Sequence, residues 1–304
     1  MNIALCFCVR NCEEYLKFIF KNIELMKTLN NINVFSIFIY DNCSDNSGDI
    51  LENYKNNNNN VIVKHIENKS NYRTKRIAKA RNACLKIVYS ELPDIVYHIM
   101  IDSDNVCSLK WDIDIINKYL NNFDNDNWDC ISFNNDNYYD IWALMFDNFK
   151  YDCWGFGLDS RNVINIMQKC IIEKLNNCKT NSIDVISAFN GFSIYKTDKF
   201  KEFYYDGTYN NFKNLITKTD IIDTLNNLKK YNINVSINNN NQICEHLFYN
   251  ISAFKKGCKI KISKFKIMNK SATLQQEQQK KTFNSNNIIY KKKYRRDMRF
   301  NMIF

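Results

Sequence analysis

Short apolar runs alternate with amphipathic stretches over the first hundred residues, and this alternation restricts the fold more than any other feature of the chain. Residues 3–9, 34–40, 61–66 and 95–101 read as strands. Residues 13–29, 49–55 and 73–90 read as helices. Tyr15, Ile19, Ile23 and Met26 recur at helical spacing in the first of these, and Ile77, Ala80, Cys84 and Val88 point inward from the last. Strands that alternate with helices imply an α/β fold with a mostly parallel sheet. In such sheets ligands sit beyond the carboxyl ends of the strands. That rule gathers Arg10 and Asn11, the turn-rich segment Asp41 to Ser44, and Asp102 to Asp104 into one neighbourhood.

Beyond Trp128 the alternation loosens. Residues 129–133 and 188–195 look like strands, 160–175 and 247–256 like helices, and 258–262 like a closing strand. From about Ser263 the chain becomes polar and then basic. The division expected is therefore a catalytic domain over residues 1–265 and a polar, basic extension over 266–304.

Composition removes several classes. Of 304 residues only 6 are Gly and 1 is Pro, so collagen-like and Pro-rich linker architectures are excluded. No stretch of ~18 uncharged apolar residues offers a membrane span. The apolar run at residues 3–9 ends at Arg10 and reads as a strand rather than a leader, which places the chain in the cytoplasm. The 12 Cys lack any C-x-x-C pair and sit in a chain too long for a disulfide scaffold, so they are read as reduced thiols. The net charge of +10 is concentrated at the end, where Lys291, Lys292, Lys293, Arg295, Arg296 and Arg299 oppose Asp297. Such a tail is either a solvated segment or a grip on an anionic membrane surface or nucleic acid.

Four local signals carry chemistry. Asp102-Ser103-Asp104 directly follows an apolar strand. In extended chain the two carboxylates point to one side, ~6–7 Å apart, where they suit a hard divalent cation such as Mg²⁺ or Mn²⁺. Two solvated aspartates on a surface turn give the same pattern. Asp41 ends a strand, where a carboxylate accepts hydrogen bonds from a ribose or base edge; Asp41, Ser44 and Asp45 serve equally as turn or cap residues. The stretch Arg73-Thr-Lys-Arg-Ile-Ala-Lys-Ala-Arg81 gives a helix with basic faces. Arg76 and Arg81 are cations for a nucleotide diphosphate or members of a solvent-exposed face. No interleaved aromatic platform accompanies them, which disfavours nucleic acid. Finally, Cys244-Glu245-His246 precedes a helix. His246 is a metal ligand, a general acid or base, or a structural histidine, whereas His65 and His98 lie in strands and read as structural.

These pieces come in an order that resembles nucleotide-sugar-dependent glycosyltransferases of the GT-A fold. Ala4-Leu-Cys-Phe-Cys-Val-Arg-Asn11 is similar to the opening strand and nucleotide-binding loop of the family-2-like enzymes. Phe38-Ile-Tyr-Asp-Asn-Cys-Ser-Asp45 is similar to their V-x-D-x-S-x-D element, and Asp102-Ser103-Asp104 to their D-x-D. Phe189-Asn-Gly-Phe-Ser-Ile-Tyr-Lys196 resembles the Gly-containing acceptor-side strand, and Glu245-His246 the E-D element. Tyr138-Tyr-Asp-Ile-Trp-Ala-Leu144, Ala80-Arg-Asn82 and Cys244-Glu-His246 also resemble the fungal capsule α-1,3-mannosyltransferase group and its giant-virus relatives, where Arg is expected at the position of Met145. That narrower resemblance implies retention and GDP-mannose.

The resemblance implies metal-dependent transfer of a hexose from a UDP- or GDP-sugar to a glycan, glycoprotein or glycolipid. Asp102 and Asp104 would hold Mn²⁺ or Mg²⁺, with His246 as third ligand. Arg10, Asn11, Asp41, Arg76 and Arg81 would hold the nucleotide. Asp140, Trp142 and Asn190 would face sugar or acceptor, and Glu245 would be the base or orient the acceptor. A nucleotidyltransferase also uses carboxylate-bound metal, but Cys8-Val-Arg-Asn-Cys12 lacks the Gly-rich phosphate loop expected of it. A non-catalytic membrane-surface or nucleic-acid protein would rely on the basic tail instead.

Overall fold

Each strand of the N-terminal half carries apolar side chains on both faces, the pattern of a parallel sheet covered on both sides by helices. The computed structural model, which describes residues 1–92, 94–121, 126–238 and 241–269, shows that arrangement. In chain order the elements are β1 (Asn2–Val9), α1 (Glu13–Lys27), β2 (Asn33–Tyr40), α2 (Ser47–Asn56), β3 (Val61–His65), α3 (Arg73–Ser90) and β4 (Ile95–Asp102). There follow β5 (Lys110–Trp111), α4 (Ile113–Leu120), β6 (Cys130–Asn134), α5 (Ser160–Asn176), β7 (Ser182–Val185) and β8 (Phe192–Lys196). The remainder is α6 (Thr197–Phe200), α7 (Tyr209–Phe212), α8 (Lys218–Lys229), α9 (Glu245–Lys255), β9 (Ile260–Lys266) and β10 (Met268–Asn269).

Eight strands form one sheet in the order β3-β2-β1-β4-β8-β6-β9-β7. β3, β2, β1 and β4 are mutually parallel, with Cys8 opposite both Ile39 and Asp102. β8 runs antiparallel to β4 and β6, β9 is parallel to β6, and β7 closes the edge antiparallel to β9. Alternation along β1 sends Ile3, Leu5, Phe7 and Val9 to a core shared with Leu16, Ile19 and Ile23 of α1. Ala4 and Cys6 go to the opposite core, with Ala80, Cys84 and Val88 of α3 and Leu247 of α9. Cys6, Cys84 and Cys130 are fully buried and pack as small hydrophobes, and all 12 cysteines are free thiols.

The chain builds outward from β1 to β2 and β3, then crosses back to lay β4 on the other side of β1. The order of strand addition therefore reverses between β1 and β4. A crevice opens beyond the carboxyl ends of strands at such a switch point, here just past Val9 and Asp102.

The structure moves several boundaries. The strand expected over 188–195 begins only at Phe192, because Asn190 and Gly191 hold left-handed backbone (φ +55° and +87°). The helix expected from 247 begins at Glu245. The closing strand runs from Ile260 to Lys266 rather than over 258–262. β5, α4, β7, α6, α7 and α8 have no counterpart in the sequence expectations. α8 carries a readable signal, since Thr217 and Asp220 form a capping box at its start. Residues Met1–Met268 cluster as one compact unit. The basic cluster from Lys291 to Arg299 lies outside the described residues. Among the described residues no helix is long and apolar enough to cross a membrane.

Candidate active site

A cavity of about 330 Å³ occupies the switch-point crevice. Its lining includes Arg10 from the end of β1, Asp41 from the end of β2, Arg76 and Arg81 from α3, and Asp102 and Asp104 at and beyond the end of β4. Asp140 and Trp142 enter from the loop after β6, and Glu245 and His246 from the first turn of α9. The expected residues thus converge from six segments of the chain. Asn11 and Asn190 are exceptions, standing behind the lining as braces. Asn11 holds a left-handed turn (φ +54°), and its Oδ1 accepts from the Ser44 backbone N–H at 2.8 Å, tying the loops after β1 and β2 together. Asn190 is buried; its Nδ2 donates to Phe133 O at 2.8 Å and its Oδ1 accepts from the Asp140 N–H at 3.3 Å.

The loop after β2 resolves the ambiguity among its acids. Asp45 accepts from the Glu13 N–H at 3.1 Å and the Ser47 N–H at 3.1 Å, so it caps α1 and its own turn. Asp41 is buried against the cavity, with Arg10 Nη1 at 3.9 Å from its Oδ2. Arg76 donates from Nη1 to the carbonyls of Ser70 and Asn71 at 3.0 and 3.3 Å, which fixes the base of its guanidinium beside the cavity. Arg73 also lines this wall.

Arg81, expected at the nucleotide, lines the cavity and is held there by two carboxylates. It is buried, and its Nε donates to Glu245 Oε1 at 2.9 Å while Nη2 donates to Asp102 Oδ1 at 3.0 Å. Its guanidinium lies 4.7 Å from the centroid of the Phe189 ring. A buried cation between two carboxylates fixes the positions of both, so Arg81 aligns the end of β4 with the start of α9. Glu245 is correspondingly pinned by Arg81. Tyr139, which the sequence did not single out, donates to Asp102 Oδ2 at 3.1 Å. Gly191 makes room for it, since a Cβ there would fall 2.6 Å from the Tyr139 hydroxyl.

The acidic pair does not lie on extended chain. β4 ends at Asp102, the chain turns, and Asp104 Oδ1 accepts from the Val106 N–H at 3.0 Å. Asp104 is open to solvent within the crevice, yet the crevice walls strip part of its hydration and Asp102 crowds it, pushing its pKa up to about 6. Asp140 is pushed up to about 7 by burial first, then by Asp102 and Glu245, against the pull of Arg81.

His246 is buried, its ring stacked on Phe189 at 3.7 Å, and among the described residues neither ring nitrogen has a hydrogen-bond partner. Burial and Arg81 hold its pKa well below the ordinary value, so the ring is neutral. Among the described residues no three His, Cys, Asp or Glu side chains gather as a metal-binding group. His246 therefore does not complete a ligand set with Asp102 and Asp104. The two aspartates alone suit a hard cation that takes its remaining ligands from phosphate and water, and the crowding that raises Asp104 is the kind a cation relieves. Met145, where the narrower resemblance expects Arg, is buried in the core and bridges to Ser187. His98 is structural as expected: it is buried between Thr197 and Tyr249, with its pKa lowered to about 3.

No curated protein matches the chain in sequence. Solved structures similar to the chain at low identity include the following three. S. aureus TarS 1-349 in complex with UDP is 14% identical over 88% of this chain and 59% of that one, with a TM-score of 0.43. The mannosyltransferase PcManGT from Pyrobaculum calidifontis in complex with GDP-Man and Mn²⁺ is 11% identical over 67% and 47%, with a TM-score of 0.37. Glucosyl-3-phosphoglycerate synthase from Mycobacterium tuberculosis in complex with Mn²⁺, UDP-Glc and phosphoglyceric acid is 9% identical over 79% and 72%, with a TM-score of 0.40. The chain thus spans 59% of the length of the TarS fragment. The model of the family described as glycosyl transferase family 2 matches residues 5–199, well over half of the chain, and runs from β1 through Asp102 and Asp104 to the helix after β8. The chain belongs to glycosyl transferase family 2.

Proposed function

We propose that the protein transfers a hexose from a nucleotide-diphosphate sugar to an acceptor hydroxyl, with Mg²⁺ or Mn²⁺ held by Asp104 and Asp102. Family membership supports the reaction class. One observation carries the rest: the two aspartates line the same cavity as Arg10, Arg73 and Arg76, at the switch point of the sheet. Asp41 takes the nucleoside, and Arg10 and Arg76 take phosphate oxygens through planar donor forks. The bound cation would neutralise charge on the departing diphosphate.

Asp140 is the base. Its carboxyl lines the cavity, its backbone is braced by Asn190, and its raised pKa suits proton uptake near neutrality. The acceptor oxygen bonds to the anomeric carbon and its proton passes to Asp140. The bond from that carbon to phosphate breaks, and its electron pair leaves with the diphosphate. Glu245 and Arg81 keep Asp102 and the start of α9 in register during the exchange.

Thermal shift and hydrolysis across a panel of UDP-, GDP- and TDP-sugars, with and without Mn²⁺, test the reading. At least one nucleotide should stabilise the protein in a Mn²⁺-dependent way, and its sugar should be released. A protein indifferent to every nucleotide, or equally responsive without metal, would refute it.

A further inference from the structure

Two adjacent tyrosines on the loop after β6 have opposite surroundings. Tyr138 is fully buried, whereas Tyr139 is 38% exposed and lines the cavity. Tyr138 holds left-handed backbone (φ +35°), which is unusual for a bulky residue. The bend is braced from α5, where Gln168 Nε2 donates to the carbonyls of Asn137 and Tyr138 at 2.6 and 3.2 Å. A packing tyrosine buries its ring, as Tyr138 does. Tyr139 leaves its ring partly open and turns its hydroxyl onto Asp102 Oδ2, at 3.1 Å. That hydroxyl has a prepared seat. Gly191 is left-handed (φ +87°), and a Cβ there would fall 2.6 Å from the Tyr139 oxygen and 3.1 Å from Cys107 Sγ. The Gly191 carbonyl meanwhile accepts from the Asp102 N–H at 2.9 Å and from the Cys107 thiol at 3.0 Å. One glycine therefore holds the main chain of Asp102 and leaves room for a group that holds its side chain.

The two acids of the pair are held differently. Asp104 accepts a backbone bond from Val106. Asp102 is held on both oxygens, Oδ1 by Arg81 Nη2 at 3.0 Å and Oδ2 by Tyr139. A carboxylate oxygen has two acceptor sites, so each of these bonds leaves one free while fixing the plane in which it lies. Groups that hydrogen-bond a ligating carboxylate orient it and raise its affinity for metal. We propose that Tyr139 is a positioning residue of the cation site: its hydroxyl holds the Asp102 carboxylate in the orientation that a divalent cation shared with Asp104 requires. This rests on the metal-dependent glycosyltransferase reading above. The opposite possibility is a plug, a hydroxyl that occupies Oδ2 and has to leave before a cation enters. The two predict opposite responses to removal of that one oxygen.

Mn²⁺ titration of the full chain, followed by electron paramagnetic resonance with and without UDP or GDP, tests this. The signal comes from free Mn²⁺, so the readout does not depend on sugar transfer. Tyr139→Phe should raise the Mn²⁺ Kd about tenfold or more, with a melting temperature near that of wild type. In an Asp102→Asn background the same substitution should change the Kd far less, because its effect runs through Asp102. In transfer assays the Mn²⁺ concentration for half-maximal rate should rise by a larger factor than kcat falls. An unchanged Kd in Tyr139→Phe would overturn the proposal, and a tighter one would make the hydroxyl a plug. An undiminished loss in the Asp102→Asn background would overturn it too, since the effect would then run through another contact. A wild type that binds Mn²⁺ neither alone nor with either nucleotide removes the cation reading and this role with it, whereas the other failures leave that reading standing.

Discussion

The two walls of the cavity are opposites. One, built from the ends of β1 and β2 and the start of α3, presents Arg10, Arg73 and Arg76 around Asp41. The other, built from the end of β4, the turn at 138–143 and the start of α9, presents Asp102, Asp104, Asp140 and Glu245 with Tyr139 and Trp142. A uniformly basic pocket would hold a diphosphate but offer no proton acceptor, and a uniformly acidic one would repel the diphosphate. In the proposed reaction the guanidinium groups bind phosphate oxygens, while the carboxylates hold the cation for the departing diphosphate and supply the proton acceptor. Arg81 is the exception that supports the division: it is a cation within the acidic wall, but its bonds to Asp102 and Glu245 turn it inward.

The most severe way to break this division is to remove charge from the acidic wall. Asp104→Asn should lower kcat/KM by about 10³-fold, because a cation clamp stabilises charge that appears only as the diphosphate leaves. The fold should persist, as relief of repulsion with Asp102 favours the variant without metal. Wild-type turnover in this variant would sink the proposed role of the wall. Asp140→Asn should cost about 10²–10³-fold in kcat, the usual range for a lost general base. The wild-type kcat should fall as the pH drops through about 7, and Asp140→Asn should lose that limb. Asp102, Glu245 and Arg81 all act on Asp140, so the step belongs to the cluster. The sign for stability runs the other way. A carboxyl whose pKa is raised by folding stabilises the protein fully below its unfolded pKa of about 3.9, and that contribution is lost as the pH rises to about 7. Asp140→Asn should therefore melt higher than wild type at pH 8, with the gap closing toward pH 4.

The same contrast explains what was legible in the sequence. The basic wall comes from strand ends and a helix within a regular parallel unit. α3 lies at residues 73–90 as periodicity predicts, because each element there buries a face against its sequence neighbours. The acidic wall beyond Asp102 comes from irregular chain. Asn190 and Gly191 interrupt what reads as a strand, and Cys244 starts α9 without a side-chain cap to announce it. Tyr139 and Phe189 matter through contacts with distant residues, which periodicity does not encode. The acid–His pair at 245–246 was visible, but not that Arg81 engages the first while Phe189 covers the second.

A smaller effect sharpens the division from the basic side. Arg76→Ala should raise the donor KM about tenfold while changing kcat less, since a phosphate contact present before and during transfer contributes uniform binding. Added salt should weaken donor binding more in wild type than in the variant. An equal loss in kcat would instead place Arg76 with the groups that act only as the leaving group departs.

The smallest expected effect separates two acids of one loop. Asp41 and Asp45 are four residues apart, yet only Asp41 lines the cavity; Asp45 receives the N–H groups of Glu13 and Ser47. Asp45→Ala should cost about 1 kcal/mol, as for a lost helix cap, seen as a melting temperature lower by roughly 2–4 °C, with the donor KM close to wild type. Asp41→Asn should do the reverse. Burial raises the pKa of Asp45, but hydrogen bonds from Ser47 and Glu13 outweigh it and leave the pKa below the ordinary value. Its contribution is thus present above the unfolded pKa of about 3.9 and lost as the pH falls through the lower folded value. The melting difference between Asp45→Ala and wild type should shrink in acid. A donor KM that rises in Asp45→Ala as much as in Asp41→Asn would show that the loop acts as one unit and that the basic wall extends beyond the residues lining the cavity.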